Sequence, residues 1–210
     1  MEHLIYNKIS YDIEKYKDLL LEEINSKESF FKAYAYKFDG DVVVWPYHGE
    51  FRTVRNEDTE DCPVLKQVET EFNNKYHINA VGRYYTLPPE YELTPHKDVG
   101  TKCAINFILK GSSPIVFHEA LTEAAAEGNN YRIVHQQNSS LMNYKIVHQQ
   151  AYDKALLNLQ ELHSVPKSST GRIILKFSIF DESYEDVLEK VKYYEYRGRS
   201  ERTYDGKRSS

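Results

Sequence analysis

Cysteine is scarce in this chain: among 210 residues only Cys62 and Cys103 occur, and they do not form a Cys-x-x-Cys pair. That spacing excludes a disulfide framework and zinc-ribbon chemistry, and it fits a reducing compartment. Long apolar runs are missing too. No stretch approaches the roughly 20 residues that a helix needs to cross a bilayer. Residues 1–8 also lack the basic-then-apolar order of a secretory signal. A cytoplasmic protein without a membrane partner is the expectation. Excess positive charge is absent as well: 27 Lys and Arg stand against 32 Asp and Glu, a net charge of -5. General nucleic-acid binding is therefore not expected, because counterion release needs a clustered basic face. Only residues 195–210 are locally basic. Their Gly, Ser and charge content reads as a flexible, solvated tail.

What is plentiful is tyrosine, at 18 residues. Tyrosines suit half-buried strand faces and offer hydroxyls at pocket walls. The length accommodates one domain with a sizeable core, here residues 1–192. An N-terminal elaboration (1–79) would precede a β core (80–181) and a helix (183–194). Within the elaboration, Ser10 is placed to cap a helix over 11–25 with Ile13, Tyr16, Leu20 and Ile24 on one face. A hairpin follows, 30–38 against 42–45 through Asp39-Gly40-Asp41. Pro63 then opens a second helix that runs to about Tyr76.

From Ala80 the chain reads as short strands divided by turns: 81–87, 91–98, 101–109, 115–119, 132–136, 145–149, 155–162 and 172–180. This spacing predicts a mainly β fold with flanking helices, a jelly roll or related barrel. One echo occurs: Tyr131-Arg-Ile-Val-His-Gln-Gln137 is nearly repeated as Tyr144-Lys-Ile-Val-His-Gln-Gln150. Two copies are too few for a solenoid, and they read as two strands of similar character.

The chemistry concentrates in Pro95-His96-Lys97-Asp98. On an extended strand, residues two apart share a face, so His96 and Asp98 present an imidazole and a carboxylate together. A histidine from another strand would complete a facial set with open metal positions, as Fe(II) oxygen chemistry requires. His163 ends a strand-like run just before Pro166, and nine residues later Arg172 opens another β segment. An arginine there suits a two-pronged clamp on a carboxylate. Strict alternation along that segment puts Lys176 on the same face as Arg172, unless a bulge intervenes. His118, His135 and His148 read as structural or surface residues.

The ordered set Arg83-Tyr84-Tyr85, His96-x-Asp98, Cys103-Ala-Ile-Asn106-Phe-Ile-Leu109, Leu162-His163-Ser-Val and Gly171-Arg172 resembles the Fe(II)/2-oxoglutarate-dependent oxygenases. The likeness is to the prolyl hydroxylase-like and aspartyl/asparaginyl β-hydroxylase-like branch of small bacterial and phage enzymes. It covers roughly residues 81–181. What it implies is a cupin-like double-stranded β-helix in the cytoplasm of a bacterium or a phage-infected host cell. His96, Asp98 and His163 would be the ligands of Fe(II). Arg172 would bind the distal carboxylate of the 2-oxoglutarate cosubstrate, with Tyr85 and Asn106 beside it. The reaction implied is hydroxylation of a C–H bond with O2, by analogy on an Asp, Asn or Pro side chain of a peptide, with a small-molecule substrate also open. A metal-dependent cupin isomerase or hydrolase, and a jelly-roll binding or virion module without catalysis, remain as alternatives. Substrate and oligomeric state are not legible in the sequence.

Overall fold

The computed structural model describes residues 5–26, 62–87, 89, 90, 92–98, 100–111, 114–122 and 144–205, with short strand segments between residues 32 and 53. Its strands are β1 (Tyr6–Lys8), β2 (Lys32–Ala33), β3 (Ala35–Phe38), β4 (Asp41–Val44), β5 (Arg52–Thr53), β6 (Ala80–Leu87) and β7 (Leu93–His96). There follow β8 (Cys103–Gly111), β9 (Ile115–Ala120), β10 (Tyr144–Gln150), β11 (Lys154–Asn158), β12 (His163–Val165) and β13 (Arg172–Ile179). Among the described residues three helices accompany them: α1 (Glu14–Ser26), α2 (Pro63–Tyr76) and α3 (Tyr184–Asp205).

All strand pairs are antiparallel. A seven-stranded sheet has the order β1-β11-β8-β13-β6-β5-β2, and a four-stranded sheet the order β10-β9-β12-β7. From β6 onward the chain passes repeatedly from one sheet to the other, which is the winding of a jelly roll. The expected double-stranded β-helix is the fold observed. β3 and β4 form the expected hairpin, with Phe38 opposite Asp41.

The large sheet is covered on both faces, and its central strands read accordingly. In β8, Cys103, Ile105, Phe107 and Leu109 pack with the helices, and Ala104 and Ile108 pack toward the second sheet. A continuous apolar run of this kind is what a strand buried on both sides requires. The helix layer supplies Tyr16, Leu20 and Ile24 from α1, Leu65, Val68, Phe72 and Tyr76 from α2, and Val187 and Val191 from α3. These recur at three- and four-residue spacing, so each helix turns one stripe inward. The buried Glu23 of α1 joins the layers. Its carboxylate accepts the Val64 and Leu65 amides (2.7 and 3.1 Å) and the Tyr84 hydroxyl (2.6 Å). It thus satisfies two of the unpaired amides at the start of α2, where Cys62 gives no side-chain cap.

Several boundaries differ from the sequence reading. α1 begins at Glu14 and not at Tyr11, and Ser10 is not its cap. Tyr11 is buried, with its ring on Phe72 and its carbonyl accepting from Lys154 Nζ and Ile13 N, which holds the chain out of the helix. The run 155–162 is not one strand: β11 ends at Asn158, and His163 opens β12 in the other sheet. The last helix continues past Tyr194 to Asp205, since in that stretch only Gly198 opposes helix formation, by about 1 kcal/mol. It starts under a Ser183 cap whose hydroxyl accepts the Asp186 amide at 3.2 Å. The strand expected at 132–136, and with it the first copy of the echo, lies outside the described residues. The second copy is β10.

Gly111 closes β8 beside Arg172 at φ +75°, and a Cβ there would lie 2.1 Å from the Gly171 carbonyl oxygen. Both the positive φ and this approach demand glycine. Gly111→Ala should lose about 2 to 4 kcal/mol of stability in urea unfolding. An unchanged midpoint would mean that the two turns do not approach this closely.

Candidate metal centre

His96 ends β7 and His163 begins β12, and the two residues are paired across the small sheet. Their rings lie 4.4 Å apart between centroids. Asp98 follows β7 by two residues, and its Oδ1 lies 3.5 Å from His96 Nε2 and 3.8 Å from His163 Nε2. One ligand atom from each of the three falls within 4.8 Å of the others. The break after β11 makes this possible, because it carries His163 out of the large sheet and places it opposite His96.

The turn that makes the break is tied to the Asp98 segment. The Asp98 amide donates to the Leu159 carbonyl at 3.1 Å. The Gln160 side-chain amide donates to the carbonyls of Asp98 (3.1 Å) and Thr101 (2.6 Å). His163 Nδ1–H donates to the Glu161 carbonyl at 2.9 Å, and a carbonyl acceptor fixes the proton on that nitrogen. Nε2 is left with a lone pair toward Asp98. Burial, with His96 close by, pushes the His163 pKa down to about 3, so this imidazole is neutral at pH 7. Burial works to raise the Asp98 carboxyl, but the Lys176 ammonium, a hydrogen bond from His96 and the imidazoles hold it well below the usual carboxylate range. Two imidazole nitrogens and one carboxylate oxygen are a donor set suited to Fe(II).

The cluster sits in the wall of a cavity of about 180 Å³ between the two sheets. This is below the roughly 300 Å³ at which pockets for drug-sized ligands begin, so the cavity suits a small molecule. β13 contributes Arg172, Ile174, Lys176 and Ser178, every second residue, to its lining. The register shift against β8 lies between Ile173 and Ile174 and skips Leu109, so the bulge belongs to β8 and the alternation of β13 is unbroken. Lys176 consequently points inward, and its Nζ reaches Asp98 Oδ2 at 2.5 Å. Asp98 outweighs the burial that opposes this charge, and the Lys176 pKa is raised.

Arg172 is 6% exposed, and its Nε and Nη1 have no hydrogen-bond partner. Burial lowers its pKa, yet a guanidinium stays charged throughout the working pH range. Asn106 is buried with its Nδ2 on the Tyr152 hydroxyl at 3.0 Å and its Oδ1 unpaired. Tyr85 lines the same cavity, with Lys176 Nζ 5.5 Å from its ring centre. All six residues singled out in the sequence thus face one cavity. Lys176, Tyr152 and Arg83 also line it. The first was visible as an alternation partner of Arg172. Tyr152 lies between β10 and β11 and carried no signal beyond the high tyrosine count. His118 is buried on the small sheet, bonded to Ser164 at 2.7 Å, and is not among the cavity-lining residues.

No family model and no curated protein matches the chain. Among solved structures, the non-heme alpha ketoglutarate dependent epimerase SnoN from nogalamycin biosynthesis is similar over 84% of this chain and 78% of its own, at 10% identity and a TM-score of 0.51. Vicilin from Corylus avellana (hazelnut) aligns over 61% of this chain and 28% of its own, at 10% identity and a TM-score of 0.34. The DMSP lyase DddQ from Ruegeria pomeroyi aligns over 49% and 39%, at 10% identity and a TM-score of 0.31. Among the described residues, no helix is long and apolar enough to cross a membrane. The winding of the sheets and the likeness to SnoN make this chain a cupin-like double-stranded β-helix.

Proposed function

We propose that the chain is a non-haem Fe(II)- and 2-oxoglutarate-dependent oxygenase that hydroxylates a C–H bond, by resemblance one on an amino-acid side chain. The observation that carries this reading is a buried, unpaired guanidinium, Arg172, in the same cavity as His96, Asp98 and His163. A buried donor without a partner costs roughly 1 to 3 kcal/mol, and a carboxylate from a ligand removes that cost. His96, Asp98 and His163 would hold the metal, and Arg172 the distal carboxylate of the cosubstrate. When bound, Fe(II), 2-oxoglutarate and O2 supply the oxidising power for the reaction.

The remaining residues position and shield. Lys176 occupies Asp98 Oδ2, which leaves Oδ1, the oxygen facing both imidazoles, for the metal. Asn106 and Tyr85 line the same cavity as the ligands and Arg172. Leu159, Val165, Ile115 and Ile174 give that cavity apolar walls, which exclude water and strengthen the charge pairs inside it.

Anaerobic titration with Fe(II) and then 2-oxoglutarate tests the reading. The expected result is the weak visible metal-to-ligand charge-transfer band of a chelated 2-oxo acid. Tight metal binding without that band would leave a metal-dependent cupin of another chemistry. Absence of metal binding would leave a binding module.

A further inference from the structure

We propose that the substrate oxidised in this cavity carries a carboxylate, and that Arg83 is the residue that pairs with it. This rests on the oxygenase reading above and concerns the substrate side of the same site. Arg83 belongs to β6, where it is paired with Lys176 of β13, and Lys176 is paired in turn with Asn106 of β8. The three side chains form one row across the inner face of the large sheet, level with Asp98. Arg172 lies four residues further along β13, about 13 Å away at about 3.3 Å per residue. The cavity therefore has one cation near the start of β13 and two level with Asp98.

Of the two near cations, Lys176 is committed to Asp98. Arg83 is not: its Nε is buried without a hydrogen-bond partner, and among the described residues it takes part in no ion pair. It is only partly buried. Among the described residues, Asp98 is the one acidic residue in the cavity lining, against the cations Arg83, Arg172 and Lys176. A dianionic cosubstrate and Asp98 together fall short of balancing a divalent metal, Lys176 and Arg172, even before Arg83 is counted. The lining thus favours a further anion, and the planar fork of a guanidinium matches a carboxylate. A neutral substrate would leave Arg83 Nε desolvated and unpaired.

The test uses nitrogen-labelled protein loaded with 2-oxoglutarate and Zn(II), a diamagnetic, redox-inert stand-in for Fe(II). The arginine Nε–H resonances are followed by NMR while sodium acetate is added. The Arg83 signal is identified by its loss in Arg83→Gln, and unmoved signals from the other arginines show that the variant is folded. Expected are a saturable shift of the Arg83 signal with acetate, none with acetamide, and 2-oxoglutarate affinity within about two-fold of the original in Arg83→Gln. A blocked aspartyl residue and free L-aspartate, added in separate arms, tell a peptide-borne carboxylate from a free acid by which binds more tightly. No shift with acetate, or an equal one with acetamide, overturns the proposal. So does a loss of about ten-fold or more in 2-oxoglutarate affinity, which would put Arg83 in the cosubstrate subsite. Failure of the oxygenase reading shows separately, as a protein that binds no 2-oxoglutarate before any acetate is added.

Discussion

Arg172→Ala is expected to weaken 2-oxoglutarate binding by about 2 to 5 kcal/mol, the range for removing one member of a buried charge pair. That corresponds to roughly 30-fold to a few thousand-fold in affinity. Fe(II) affinity should change far less, because Arg172 lies four residues along β13 from Lys176, whose partner is the metal-site residue Asp98. The burial of Arg172 makes the effect large, because a carboxylate bound there without it would lose its charged partner. Lys176→Ala should behave in the opposite way, with little effect on the cosubstrate and a clear one on the metal. Titration of both variants with Fe(II), then 2-oxoglutarate, without oxygen separates the two roles. Unchanged cosubstrate affinity in Arg172→Ala would place the dicarboxylate elsewhere.

The second large effect is expected at Asp98. Asp98→Ala should abolish metal binding and succinate production, since two neutral imidazoles alone hold a dication poorly. It should also destabilise the fold, because it strands the Lys176 ammonium in a site where its side chain is 16% exposed. Breaking a buried pair by removing one partner costs about 3 to 5 kcal/mol. Adding Lys176→Met to the same chain should recover most of that stability without recovering metal binding. Urea unfolding and metal titration of both variants measure the two losses independently. Succinate production by Asp98→Ala at the level of the parent would remove Asp98 from the site. A double variant no more stable than the single one would show that the ion pair is not what the single variant loses.

The sequence carried the site better than the elements that deliver it. His96 and Asp98 were legible because a two-residue spacing on an extended strand puts both on one face. α2 was legible to the residue, because Pro63 opens it and Val64, Val68 and Phe72 repeat at helical spacing. The break at 159–161 was not. Leu156, Leu157, Leu159 and Leu162 are all buried, so apolarity runs unbroken across a turn whose two sides pack in different sheets. α1 misled for a related reason: Tyr11 and Ile13 are buried by long-range packing and not by a helical stripe, and local spacing does not tell these apart. Lys176 was placed on the right face, but its partner was not foreseeable. Seventy-eight positions separate it from Asp98 in the chain, and only the folded sheets bring them together.

The bonds that link the turn at 159–161 to the Asp98 segment bear on how tightly a metal is held. Leu159, Gln160 and Glu161 grip Asp98, Thr101 and His163 through protein atoms alone. The donor cluster is therefore assembled by folding itself. An ion entering it does not have to restrict loose loops, and little of its binding free energy is spent on conformational entropy. If the cluster holds an ion, losing it would leave the cluster's shape in place, and the site would exchange metal as a preorganised chelator backed by those bonds.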